Sequence, residues 1–178
     1  MTTGHLHNIW AHLKARWYFR SATYSGARVR VWGKVIIKNQ GGKLHVGERV
    51  RIQGDIVPVE FGIGENGSLD IGERTYINYG TSISATDLVR IGPECNIGTY
   101  VMIMDNNFHC LEPERRQERP PSSPIILEEN VWLGGRVIVL GGVTIGTGSV
   151  VGAGSVVTHD IPQRSLAVGV PAKVIRQL

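Results

Sequence analysis

The chain has 178 residues, of which 42% are hydrophobic and only 7% aromatic, and its formal net charge is +4. This length allows one domain with at most a small appendage, and the core must consist mainly of aliphatic side chains. Two cysteines are too few for a disulfide framework or a zinc site, the charges form no long run of one sign, and no apolar stretch is long enough to cross a membrane. We therefore expect a cytoplasmic protein with free thiols and no nucleic-acid partner.

Residues 1–26 predict an amphipathic helix followed by a linker. Apolar residues recur at helical spacing and leave the basic residues on the rest of the helical wheel. The apolar set is Leu6, Ile9, Trp10, Leu13 and Trp17, and the basic set is Lys14, Arg16 and Arg20. Two interpretations are open: the helix covers an end of the main domain or docks on a neighbouring subunit, or it makes peripheral contact with an anionic membrane surface.

Residues 27–178 predict an all-β solenoid, because aliphatic residues recur every six positions. The longest ladder is Leu127, Leu133, Val139, Ile145, Val151 and Val157, and a shorter one is Ile91, Ile97 and Ile103. An α-helix repeats every 3.6 residues and an ordinary strand every two, so a helix or a β-sandwich does not keep this phase. A coil with three flat sides keeps the six-residue phase, because each side takes one hexapeptide. Its aliphatic residues point inward, and some of the 23 glycines lie at the turns.

The ladder breaks after Ile103, where residues 104–124 are rich in charge and proline and predict a projecting loop. His109 lies in this segment, four residues after Asp105. An imidazole with a pKa near the working pH suits a general base, and a nearby carboxylate suits the task of holding its tautomer. The alternative for a single histidine in such a place is an ordinary solvent-exposed side chain.

Two stretches resemble the hexapeptide-repeat acyltransferases, a family that includes maltose, galactoside and exopolysaccharide O-acetyltransferases and xenobiotic acetyltransferases. The first runs from Asp105 through Asn107 and His109 to residues 126–135 and is similar to their active-site region. The resemblance implies a left-handed parallel β-helix, His109 as general base, and supporting roles for Asp105 and Asn107. It also implies active sites between the subunits of a homotrimer, with Trp132 beside the acceptor unless that ring is simply packed.

The second stretch, residues 141–176, resembles the end of these enzymes that binds coenzyme A. By this resemblance the Gly135 amide contacts acetyl-CoA near the thioester, Ala153 and Thr158 make further contacts, and Lys173 and Arg176 lie near the nucleotide phosphates, as their charges suit. The chain departs from the family in two places. His159 replaces a frequent lysine, and the acidic N-terminal motif of the maltose and galactoside branch is absent, which disfavours free sugars of that kind.

The sequence therefore predicts an acetyl-CoA-dependent O-acetyltransferase that acts on a saccharide of capsule, exopolysaccharide or lipopolysaccharide. N-acetylation of a nucleotide-linked amino sugar, O-acetylation of an antibiotic, and a solenoid without catalysis are the alternatives. Relatives of the amino-sugar type often carry an N-terminal nucleotide-binding domain, for which 178 residues leave no room. Metal-dependent carbonic anhydrases of this fold need three histidine ligands. Only His45 and His109 lie on or near the coils, so we expect no metal.

Overall fold

The computed structural model describes the backbone from Thr3 to Leu178 and the side chains from residue 8 onward. Within this part of the chain, one helix, α1 (Thr3–Tyr18), precedes 18 strands that wind into a left-handed parallel β-helix. The predicted fold class is confirmed. The predicted position of the Leu6 side chain lies outside the described residues.

The β-helix is a triangular prism, and each coil contributes one strand to each of its three faces. Face 1 consists of β1 (Tyr24–Ser25), β3 (Lys43–Val46), β5 (Ser68–Ile71), β8 (Leu88–Ile91), β11 (Ile125–Leu127) and β14 (Thr144–Ile145). The long strands β2 (Arg30–Asn39) and β4 (Arg51–Ile63) bend from face 2 onto face 3.

The remaining strands extend faces 2 and 3. Face 2 continues with β6 (Tyr76–Ile77), β9 (Asn96–Ile97), β12 (Trp132–Leu133), β15 (Val150–Val151) and β17 (Ser165–Gly169). Face 3 continues with β7 (Ser82–Ala85), β10 (Met102–Met104), β13 (Ile138–Val139) and β16 (Val156–Val157). Strand β18 (Ala172–Gln177) turns back and pairs antiparallel with β17. We call the edges of the prism corners 1–2, 2–3 and 3–1 after the faces that meet there.

The six-residue ladder forms the core. Ile97, Leu133 and Val151 occupy equivalent positions on successive coils, and all three are at most 1% exposed. Parallel strands lie about 4.8 Å apart, so such a column is a continuous stack of aliphatic contacts. The prediction that these residues point inward is confirmed, and so is the burial of the small residues that follow them, such as Thr75 and Cys95.

Glycine supplies the left-handed turn conformation at some corners, as expected, since Gly80, Gly148 and Gly154 have φ values of 68–71°, but it does not do so at all of them. At corner 1–2 the left-handed residue is usually not glycine: Arg49, Arg74 and Glu94 have φ values of 56–58°. Glycine is needed instead directly after the inward residue, where a Cβ on Gly72 would lie 2.4 Å from the backbone of the next coil. Glycine is therefore required at this position because neighbouring coils approach closely there. A nearby residue adopts the left-handed turn conformation.

Helix α1 covers the end of the prism formed by the first coil. Ala15 and Phe19 are buried in the same core as Val29 and Val35, and His12 Nδ1 lies 2.8 Å from the Val29 carbonyl oxygen. Strand β1 pairs with β3, so the first coil already begins inside the segment predicted as a linker. No helix in the described part of the chain combines the length and the apolar character needed to cross a membrane.

Candidate functional site

The chain leaves the prism at corner 3–1, between β10 and β11, and this excursion carries His109. Residues 105–124 form the projecting loop, with a short 3-10 helix at Pro113–Arg115. The base of the loop is closed where the Ser123 amide donates to the Asp105 carbonyl over 2.9 Å. His109 is exposed to solvent.

The imidazole of His109 is held by the loop's own backbone. Its Nδ1 atom lies 2.8 Å from the Arg116 carbonyl oxygen. A carbonyl oxygen can only accept a hydrogen bond, so Nδ1 carries the proton in the neutral ring and Nε2 keeps its lone pair. This is the protonation pattern that a general base requires.

Asp105 does not hold the imidazole, and this part of the prediction is wrong. Its buried carboxylate accepts hydrogen bonds from the amides of Thr86, at 2.8 and 2.9 Å, and Asp87, at 2.7 Å. Asp105 therefore ties the start of the loop to the preceding turn between coils. A separation of four residues brings side chains together on a helix, but this segment is irregular, and Phe108 has a φ of 61°.

Asn106, and not the neighbouring Asn107 named as a supporting residue, makes the side-chain contacts that hold the loop. Its side-chain amide donates to the Pro120 carbonyl over 2.8 Å and to the Ser122 hydroxyl over 2.9 Å, and its Oδ1 accepts from the Phe108 amide. Asn107 is exposed. An asparagine two residues before a left-handed residue is typical of a turn, which is the signal that sequence reasoning missed.

A cavity of about 200 Å³ opens on face 3 beside the start of the loop. Its lining includes Met104 and Phe108 and small residues such as Gly62 and Ser84. The guanidinium of Arg119 lies over the Phe108 ring at 5.4 Å. This cavity is therefore lined in part by the loop that carries His109.

Trp132 lies on the outer side of face 2, with 54% of its surface exposed. Together with Tyr76, Asn78 and Asn96 it lines a cavity of about 390 Å³. Burial raises the pKa of the Tyr76 hydroxyl, which keeps it in its neutral form. Tyr76 and Asn96 were not singled out from the sequence, although each precedes an inward aliphatic residue just as Trp132 does.

Gly135 and Ala153 lie together at corner 2–3 on neighbouring coils. The Gly154 amide donates to the Gly135 carbonyl over 2.9 Å, and a Cβ on Gly134 would come within 2.6 Å of the Ala153 nitrogen. Among the contacts of the described residues, the amide N–H groups of Gly135 and Ala153 have no acceptor. This corner therefore presents two donors, about one coil spacing apart, to a ligand lying along the prism.

Lys173 continues the same corner toward the end of the solenoid. It pairs with Val168, whose side chain stands over Gly152 in the coil below. Arg176 pairs with Leu166 and so lies in the outward column of face 2 that includes Trp132. Both cations are exposed.

Thr158 does not join this group. It follows β16 at corner 3–1, and its hydroxyl pairs with Nδ1 of His159 over 2.8 Å. The structure thus brings Trp132, Gly135, Ala153, Lys173 and Arg176 together on and beside face 2. It places His109 and Thr158 at the opposite corner of the triangle.

Metal-ligating residues are not clustered in the described residues: no three of His, Cys, Asp and Glu lie where they could share an ion. His45 is paired with Asp70 at 2.6 Å on face 1, away from the loop.

Known proteins share both the repeat and the overall fold. Residues 124–159 match the family model described as bacterial transferase hexapeptide (six repeats). The galactoside O-acetyltransferase of Escherichia coli strain K12 is 39% identical over 121 residues, which are 68% of this chain and 59% of that protein. The chain therefore spans about three fifths of the length of this relative.

Two solved structures extend the comparison. A hexapeptide-repeat-containing acetyltransferase from Vibrio cholerae is 34% identical with a TM-score of 0.68, over 75% of this chain and 73% of that one. A galactoside acetyltransferase in complex with coenzyme A is 28% identical with a TM-score of 0.62, over 94% of this chain and 72% of that one.

Proposed function

Because this chain belongs to the hexapeptide-repeat acetyltransferases, we propose that it transfers an acetyl group from acetyl-CoA to a hydroxyl of a saccharide. The saccharide is a unit of capsule, exopolysaccharide or lipopolysaccharide. One observation carries the proposal: His109 is exposed, and its Nδ1 is fixed on the Arg116 carbonyl, which leaves Nε2 free to accept a proton.

The reaction needs one proton acceptor and one leaving group. Nε2 of His109 takes the proton of the acceptor hydroxyl as its oxygen attacks the thioester carbonyl carbon. The tetrahedral intermediate then expels the thiolate of coenzyme A, which recovers that proton from the imidazolium. The products are an acetyl ester and coenzyme A with a free thiol, so the histidine returns to its starting state.

Acetyl-CoA is proposed to lie along corner 2–3. The free amides of Gly135 and Ala153 suit the carbonyl oxygens of the pantetheine arm. Lys173 stands farther along the same corner, where its charge suits a phosphate. Thr158 and His159 lie at corner 3–1, so their contribution to the same cofactor molecule would have to come from another subunit.

The cavity beside Trp132 favours a sugar as the acceptor. An exposed indole flanked by Tyr76 and the amides of Asn78 and Asn96 offers an apolar surface next to hydrogen-bonding groups. A pyranose ring has the same combination of apolar and polar surface. The galactoside O-acetyltransferase among the relatives is consistent with this acceptor class.

We further propose a homotrimer in the cytoplasm, where acetyl-CoA is available. The proposed base and the proposed cofactor amides lie at different corners, roughly 15 Å apart for a face of about five extended residues. One chain therefore does not bring them together. A neighbouring chain that packs its face 2 against corner 3–1 would do so, which makes the site a shared one.

The decisive experiment follows thiol release from acetyl-CoA with oligosaccharides, nucleotide-linked amino sugars and antibiotics as acceptors. We expect release with a saccharide that lacks free amines, and a product that loses its acetyl group in mild alkali, as an ester does and an amide does not. A product stable to alkali, formed only with amino sugars, would identify an N-acetyltransferase instead. Release with none of the acceptors would leave a non-catalytic solenoid.

A further inference from the structure

The chain is electrically polarised along the solenoid. None of its 15 Asp and Glu lies before Glu48, whereas eight of its 19 Lys and Arg do. Residues 1–47 therefore carry a formal charge of +8 and residues 48–178 a charge of −4, although the whole chain carries only +4. In the structure the described part of residues 1–47 forms α1, the first coil and β3, so the positive charge gathers at one end of the prism.

Helix α1 at this end is apolar on two opposite sides. One side packs on the first coil through Ala11 and Ala15, together with Phe19 directly after the helix, and these residues are 2–4% exposed. The other side exposes Ile9, Leu13 and Trp17, four residues apart, and Trp10 beside them. Their exposed fractions are 49–64%. A helix that is apolar on both sides is typical of one with partners on both sides, and the prism accounts for only one.

Cations border this outer surface of α1, which we define as Ile9, Trp10, Leu13 and Trp17. At 100° per residue, Lys14 flanks the stripe on one side and Arg16 on the other. The guanidinium of Arg20 lies over the Trp17 ring at 4.7 Å. Long basic side chains on either side of an apolar stripe can reach lipid phosphates while their stems and the indole rings enter the interface.

We propose that the outer surface of α1 docks this end of the solenoid on an anionic phospholipid bilayer. The positive charge of this end distinguishes between two possible occupants of the surface, a second copy of the chain and an anionic bilayer. A second copy would bring another +8 region against this one, and the repulsion opposes pairing, whereas an anionic bilayer complements both the charge and the indole rings. The contact is peripheral: the helix lies in the plane of the interface with its inner side still on the prism.

Vesicle sedimentation with the full chain tests this proposal. The probes are vesicles of phosphatidylcholine alone and vesicles in which half is phosphatidylglycerol, without acetyl-CoA or acceptor, so the result is independent of acetyl transfer. We expect binding to the anionic vesicles only, release by added salt, and a blue shift of tryptophan emission. The double variant Trp10→Ser with Trp17→Ser, and separately Lys14→Gln with Arg16→Gln, should each bind about tenfold or more weakly.

Trp132→Ser is the matched control, since it removes an indole of similar exposure from the body of the prism. It should bind vesicles as the wild type does, and circular dichroism should show all variants folded. Equal binding to both vesicle types, or full binding by the Trp10 and Trp17 double variant, would overturn the proposal. So would a drop in oligomeric state of that double variant without vesicles, because the surface would then join two copies of the chain.

Discussion

Nδ1 of His109 and the main-chain carbonyl oxygen of Arg116 lie 2.8 Å apart, across one turn of the projecting loop. The contact fixes the tautomer through the backbone, so it depends on the shape of the loop and not on the Arg116 side chain. A neutral carbonyl orients the ring but stabilises a developing imidazolium less than a carboxylate would. In the proposed mechanism, the fold of the loop is therefore what orients His109 to act as the base.

Replacing His109 by alanine should lower kcat by about 10²–10⁴-fold, because it removes the proton acceptor of the transfer step. The KM for acetyl-CoA should stay close to the wild-type value, since the proposed cofactor contacts lie at another corner. Steady-state kinetics with the best acceptor from the screen measures both constants. His45→Gln is the control, as it removes an imidazole paired with Asp70 outside the site. Unchanged kcat in His109→Ala would rule out the assignment.

Asp105 should behave as an anchor of the loop. Asp105→Ala leaves the amides of Thr86 and Asp87 without their acceptor and should cost about 1–3 kcal/mol of unfolding free energy in urea titration. Asp105→Asn keeps one acceptor oxygen and should lose less. In both variants the pH dependence of kcat should keep its wild-type midpoint, since neither touches the imidazole. A shifted midpoint would indicate that Asp105 does pair directly with His109.

Lys173 and Arg176 should contribute to affinity for phosphate. Lys173→Gln with Arg176→Gln should raise the KM for acetyl-CoA about tenfold or more, because charge-assisted bonds to phosphate are lost. The same change should affect the KM for 3′-dephospho-acetyl-CoA less. Lys173→Gln alone should account for most of the effect, since only Lys173 continues the corner of Gly135 and Ala153. An equal loss with both donors would contradict a role at the 3′-phosphate.

Cys95 should make folding sensitive to alkali. Burial raises the pKa of its thiol from 9.0 to about 11. The unfolded chain then loses this proton near pH 9 while the folded chain keeps it, so the stabilisation present below pH 9 is lost as the pH rises toward 11. Between pH 8.5 and 10.5 the wild type should lose about 2 kcal/mol more unfolding free energy than Cys95→Val. Urea titrations at the two pH values give the comparison, and equal losses would show that the thiol is not shielded.

The six-residue period was sufficient to predict the solenoid and its core, because it specifies which residues share a column. Leu133 lies over Ile97 in the structure as the ladder required. The period does not specify backbone dihedrals, so the left-handed arginines of corner 1–2 were not foreseen. It also stops at Ile103, and contacts inside the loop, such as those of Asn106 and Arg116, follow from an irregular path that no spacing encodes.

The candidate site residues could be named from the sequence, but their arrangement on the prism could not. Motif resemblance assigned His109, Gly135 and Trp132 to one site, but within one chain only Trp132 and Gly135 lie near each other, on and beside face 2, while His109 lies at corner 3–1. Asp105 and His109 are close in sequence but engage different partners. Residues that are aligned by the repeat, such as Tyr76 and Trp132, are more reliably neighbours than residues that are four apart in a loop.

A shared site makes a prediction that a site within one chain does not. His109→Ala removes the base, and Ala153→Trp should block the exposed corner 2–3 without entering the core. Each variant alone should be nearly inactive. If the two chains are unfolded together and refolded as mixed trimers, about one site in four should combine an intact His109 with an intact corner.

The mixture should therefore recover about a quarter of wild-type activity, measured by thiol release at equal total protein. Mixing the two variants without unfolding is the control and should recover little, because exchange of subunits is then restricted. Recovery cannot arise if both groups act within the same chain, since every chain in the mixture is defective in one of them. If refolded mixtures are shown by sedimentation to be trimeric and yet stay inactive, that result would place the base and the cofactor in one chain. The loop would then have to fold back over face 3 to bring His109 to corner 2–3.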